Sequence, residues 1–159
     1  MNREFGTVGV GGTFDELHKG HRSLLARAFE IGEQAIIGLA SDSFVKTMGK
    51  PHITASYRER LKELENFLSS QGFLQRAEVI PIDDAFGSLL LLNSPIEALV
   101  VSKETESTAL KINEKRRMKG LPVLAIVAID MVPSENHTVI STTRIRRGEI
   151  DREGHLLKG

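Results

Sequence analysis

The stretch FGTVGVGGTFDELHKGHRSLLARAFEIGEQAIIGLA, residues 5–40, decides the fold. It opens on a short β-rich run, 5–11, apolar on both faces. Adjacent glycines, Gly11 and Gly12, let the backbone turn tightly and bring its N–H groups close to a ligand. A helical pattern over 20–32 follows, with Leu24, Leu25, Ala28 and Phe29 on one face. A second apolar run spans 34–40. Runs apolar on both faces are the mark of buried parallel strands.

The pattern repeats outward. Further strands are expected at 77–82, 96–102 and 122–129, and further helices at 56–69 and 104–119. Ser56 and Glu59 fit a capping box, and the end of the last helix carries cations and Gly120 as a C-cap. Strand–helix alternation implies an α/β fold. The expectation is a single Rossmann-like domain over 1–159, a five-stranded parallel sheet with helices on both faces, with 152–159 as a loose tail.

The 159 residues carry 21 basic and 21 acidic side chains, which argues against a nucleic-acid partner held by bulk charge. With no cysteine, thiolate metal sites, disulfides and a thiol nucleophile are excluded. No apolar run approaches the roughly 18 residues that span a bilayer, and the opening MNREFGTVG lacks the apolar region expected of a signal peptide. A cytoplasmic protein that does not engage membranes is expected. Its oligomeric state stays open.

Ligands of such sheets bind beyond the carboxyl ends of the strands. The glycine turn there is neither a Walker loop nor a dinucleotide fingerprint. It feeds a helix start, which favours anions. His18 and His21, at i and i+3, share one side of that start, and Gly20 between them leaves room for a ligand. Zinc fits this pair poorly without a third ligand, so no metal residue is assigned. A second stretch, TVISTTRIRR (138–147), runs from a strand end into Ser141, Thr142 and Thr143 and then Arg144. Hydroxyls and amides at a helix start, backed by arginine, suit phosphate oxygens.

GTFDELHKGH resembles the first signature of the nucleotidylyltransferase superfamily, which shares its H-x-G-H with class I aminoacyl-tRNA synthetases. ISTTRIR resembles the second, I-S-[ST]-T-x-I-R. Together with GLASDSFVKTMGKPHITASYRERLKELENFL, VVSKETESTALKINEKRRMKGLPVL and ISTTRIRRGEID, they resemble the archaeal-type phosphopantetheine adenylyltransferases over about residues 5–152. One departure bears on the nucleotide. ENHTVI precedes Ser141 where cytidylyltransferases commonly carry an arginine, which disfavours CTP.

The resemblance implies adenylyl transfer from ATP to 4′-phosphopantetheine, giving dephospho-CoA and pyrophosphate by direct attack with no covalent intermediate. It implies that His18 and His21 form a cationic clamp on the ATP phosphates and that Gly12, Thr13, Phe14 and Gly20 border the substrates. Ser141 to Arg144 would hold the triphosphate tail, with Mg²⁺ bridging phosphates. Lys46 would bind the acceptor phosphate, with Lys50 a competitor. Asp15 reads as structural, and Arg58 and Arg60 as a solvated helix face. An apolar pocket for the acceptor's thiol end would draw on Phe14, Phe86 or Leu89. His52, His137 and His155 receive no role. Competing readings are an FMN adenylyltransferase, a glycerol-phosphate cytidylyltransferase, and a nucleotide-binding regulator without turnover.

Overall fold

Val8 and Val10 are enclosed on one side of the first strand, while the residues between and after them are glycines. The computed structural model describes residues 3–47, 49, 54–84, 94–103 and 105–130. Strand β1 (Phe5–Gly12) leads into helix α1 (Lys19–Ile31), then β2 (Gly32–Ala40) and the short α2 (Asp42–Thr47). Helix α3 (Tyr57–Ser70) and a 3₁₀ turn, Leu74–Arg76, precede β3 (Ala77–Ile82). Strand β4 (Ala98–Ser102), helix α4 (Glu106–Met118) and β5 (Ala125–Ile129) complete the described chain. All five strands pair in parallel in the order β3-β2-β1-β4-β5, so β1 is central.

Helices lie on both faces, as the sequence implied. Val8, Val10, Ile37, Leu39 and Val100 meet Leu25, Ala28 and Phe29 of α1 and Leu64 and Leu68 of α3 in the main core. The odd set of β4, Leu99 and Val101, joins Ala109 and Ile112 of α4 on the opposite face. Each side chain removed from water there contributes about 1.5–3 kcal/mol before entropy is counted.

The expected strands and helices sit within a few residues of the observed ones. The capping oxygen before α3 is that of Ser56, which accepts the amide of Glu59. After α4 the backbone turns at Gly120 with φ +75°, the left-handed conformation that glycine adopts freely. Helix α2 and the 3₁₀ turn were not anticipated; both are too short for periodicity to register. Among the described residues no helix is long and apolar enough to cross a membrane. The tail 152–159 and the second signature lie outside the described residues.

Candidate active site

The chain leaves β1 at Gly12 and must reverse into α1 within six residues. Two of them, Phe14 and Glu16, take φ of +50°. A side chain in that left-handed region costs about 1–2 kcal/mol. Anchors surround the strained turn. The Phe14 ring is buried against the core, and the fully buried Asp15 carboxylate accepts the Ala55 amide at 3.2 Å. Asp15 thereby ties the turn to the segment ahead of α3.

His18 is the N-cap of α1, with extended backbone. Its Nδ1 accepts the amides of Gly20 at 3.0 Å and His21 at 3.4 Å. In return the His21 Nδ1 accepts the His18 amide at 3.2 Å. This is a capping box built from two imidazoles rather than from Ser and Glu. The rings stack with centroids 3.7 Å apart, and Phe14 lies against His21 at 5.3 Å.

The chemistry follows from the bonds. An Nδ1 that accepts an N–H bond carries no proton, so each neutral ring keeps its proton on Nε2. In neutral rings so bonded, the expected clamp would act on a phosphate through its Nε2–H donors. Gly20 is explained by the same packing. A Cβ there would stand 2.9 Å from His18 Cε1, so the space it leaves is taken by the His18 ring and not by a ligand.

Next to the turn, a cavity of about 290 Å³ opens on the α4 face of the sheet. Gly9, Gly11 and Gly38 line its floor where side chains would otherwise stand, Gly12 borders it, and Thr108, Ala109 and Ile112 of α4 form a wall. Ile80, Ile82 and Phe44 make it predominantly apolar. Of the residues expected to make an apolar thiol pocket, Phe14 is instead in the core beneath the turn, and Phe86 and Leu89 lie outside the described residues.

Helix α2 begins beyond β2, with the Ser41 hydroxyl accepting the Phe44 amide. Lys46 is exposed in its last turn, two residues from the cavity-lining Phe44. The described residues thus bring Gly12, Thr13, Phe14, His18, Gly20 and His21 together in one turn, with Lys46 on the next strand's exit. Ser141, Thr142, Thr143, Arg144, Lys50, His52, His137 and His155 lie outside the described residues. No group of three or more His, Cys, Asp or Glu among the described residues could hold a metal ion.

Arg60 departs most from expectation. It is 1% exposed, whereas Arg58 on the same helix faces solvent. Its guanidinium donates to the carbonyls of Ala55 (2.9 Å), Thr13 (3.0 Å) and Ala40 (2.7 Å) and to the Asp42 carboxylate (3.1 Å). A buried charge persists only when its donors are met, and here they meet the ends of three chain segments. The signal was present in the sequence. Arg60 falls in the apolar stripe Tyr57, Leu61, Leu64, Leu68, four residues before Leu64.

Comparison with known proteins agrees with this fold. The family model described as cytidylyltransferase-like matches residues 10–148. A phosphopantetheine adenylyltransferase of Methanothermobacter thermautotrophicus is 44% identical, over 99% of this chain and 93% of its own length. One of Methanopyrus kandleri is 43% identical, over 92% of each. Among solved structures, a protein of unknown function from Archaeoglobus fulgidus superimposes with a TM-score of 0.68 at 31% identity, over 79% of this chain and 98% of its own.

Proposed function

The chain belongs to the cytidylyltransferase-like family and, within it, to the phosphopantetheine adenylyltransferases; from that membership we propose that it transfers the adenylyl group of ATP to 4′-phosphopantetheine. The near-full-length match to relatives of that one name carries the reading. The paired imidazoles at the start of α1, on the turn that leaves the cavity-lining Gly12, support it chemically.

In this reading an oxygen of the acceptor's phosphate forms a bond to the α-phosphorus of ATP. The bond from that phosphorus to the α,β-bridging oxygen breaks, and pyrophosphate leaves. The acceptor is already an anion, so no general base is required. What remains is orientation and stabilisation of developing charge. His18 and His21 give Nε2–H bonds to phosphate oxygens, and their capping bonds prevent reorientation during transfer. The amides of the turn at Gly12 and Thr13 approach the same oxygens. Lys46, or Lys50, neutralises the acceptor phosphate, and Ser141, Thr142, Thr143 and Arg144 hold the triphosphate tail. The pantetheine arm lies in the apolar cavity, which is large enough for part of a drug-sized ligand. Mg²⁺ brought in with ATP would supply further neutralisation of phosphate charge.

An end-point assay tests this. Purified protein, ATP, Mg²⁺ and 4′-phosphopantetheine are expected to release pyrophosphate and yield dephospho-CoA by mass. Turnover of CTP with glycerol 3-phosphate, or of ATP with FMN, in place of that pair would overturn the acceptor assignment. ATP binding without turnover of any pair would favour the regulator.

A further inference from the structure

The β1–β2 ladder ends at the pair Gly12 and Leu39. The next residues along, Thr13 and Ala40, enter the two turns that flank the cavity. The β1–β2 register is not carried beyond that pair. There the Nη1 of Arg60 donates to both carbonyls, at 3.0 Å to Thr13 and 2.7 Å to Ala40. One side chain from α3 thus continues the ladder by one step. Its other nitrogens fasten that step to Ala55 and to Asp42 at the start of α2. Asp42 also accepts the Tyr57 amide at 2.8 Å, so α2 and α3 share an anchor. Asp15 accepts the amide of the same Ala55 whose carbonyl binds Arg60.

We propose that Arg60 is a positioning residue for the transfer reaction, fixing the distance between the imidazole-bearing turn after β1 and the lysine-bearing helix after β2. The proposal rests on the functional reading above, which puts the nucleotide on the first and the acceptor phosphate on the second. Arg60 touches neither substrate. It sets the gap that in-line attack must cross, and misplacement of reacting groups by about 1 Å costs on the order of 10²-fold in rate. Lysine cannot substitute, because one ammonium with three donors does not span four acceptors in a planar fork.

The test is Arg60→Lys, with Arg76→Lys as a control that shortens an arginine at the opposite end of the sheet. Steady-state kinetics, thermal melting and amide hydrogen exchange of residues 12–18 are measured on each. Arg60→Lys is expected to lower kcat by about 30–100-fold with each KM within about threefold, and to speed exchange in that turn. Arg76→Lys is expected to keep kcat while lowering Tm. The proposal is overturned if Arg60→Lys keeps kcat within about threefold, if both variants lose kcat alike, or if exchange of the turn is unchanged. If Arg60→Lys does not fold, Asp42→Asn decides. It keeps an oxygen for Tyr57 and removes the charge facing Arg60. A fall in kcat of about three- to tenfold at unchanged Tm supports the proposal, and unchanged kcat overturns it. Failure of the functional reading looks different. Wild type would then turn over another substrate pair, on which the same variants are compared, or none, and the exchange readout needs no substrate.

Discussion

Two arginines, one at each end of the sheet, do similar bonding work with different consequences. Arg76 sits at the end where strands begin. It donates to the carbonyls of Phe29 (2.6 Å), Gly32 (2.9 Å) and Glu33 (2.9 Å), and stacks over Phe29 and Phe73. Desolvation by these surroundings, and then the nearby Arg3 charge, lower its pKa from the ordinary arginine value. Those carbonyls close the end of α1, so Arg76 caps a helix and seals a joint that performs no chemistry. Arg60, at the end where strands finish, joins segments that carry the candidate site. The same chemistry stabilises the fold at one edge and sets reactive geometry at the other. Mutations should therefore separate into effects on kcat at the Arg60 edge and on Tm at the Arg76 edge.

The largest expected effect is at the Arg60 edge. His21→Ala removes one preorganised donor and should lower kcat by about 10²–10³-fold, checked by initial rates of pyrophosphate release. A loss below about threefold, less than 1 kcal/mol of barrier, would remove the imidazole from the chemistry. His18→Asn keeps an oxygen to accept the Gly20 and His21 amides but has no Nε2–H. It should lower kcat by about 10²-fold with little change in Tm, while His18→Ala should lose about 1 kcal/mol of stability besides. Gly20→Ala drives a Cβ into the His18 ring and should lower kcat by about tenfold, with a crystal structure showing the ring displaced.

At the other edge, Arg76→Lys should cost about 1–2 kcal/mol and about 3–6 °C in Tm, leaving kcat unchanged. The smallest effect concerns Tyr57, whose pKa is raised above its ordinary value of 10.0, first by desolvation, against the opposing charge of Arg60, with Glu65 raising it further. The neutral phenol is favoured by the fold. Its contribution to stability is therefore present below the unfolded pKa and fades as pH rises toward the folded one. As the chain's single tyrosine in a protein without tryptophan, it can be followed directly by ultraviolet titration, with a midpoint expected above 10.

What the sequence disclosed depended on whether the cause was local. The strand–turn–helix start is local. Glycines, a helix cap and the H-x-G-H spacing sit within a dozen residues, and the resemblance carried by those residues agreed with the relatives later found. The tautomers were not disclosed, because they depend on which ring nitrogen turns toward which amide. Arg60 was misread because its acceptors lie up to 47 residues away, at Thr13. An arginine on a helix reads as solvated unless its place in the apolar stripe is weighed more heavily than its charge. Arg116 repeats the lesson. It was read as one of several cations at the end of α4, yet it is 4% exposed in line with Ala109 and Ile112, and its Nε donates to Pro122 O at 2.7 Å. The apolar face of the cavity was also indirect. Gly9, Gly11 and Gly38 read as strand or turn residues, and only parallel register sets them side by side.

The most direct test of the account is a long-range ¹H–¹⁵N correlation spectrum of the histidine rings at neutral pH, with and without MgATP, with His18 and His21 assigned through their Asn variants. The expected result is two neutral rings protonated at Nε2, whose Nε2 signals shift on nucleotide binding while Nδ1 stays an acceptor. Rings protonated at Nδ1, doubly protonated rings, or rings indifferent to ATP would contradict it.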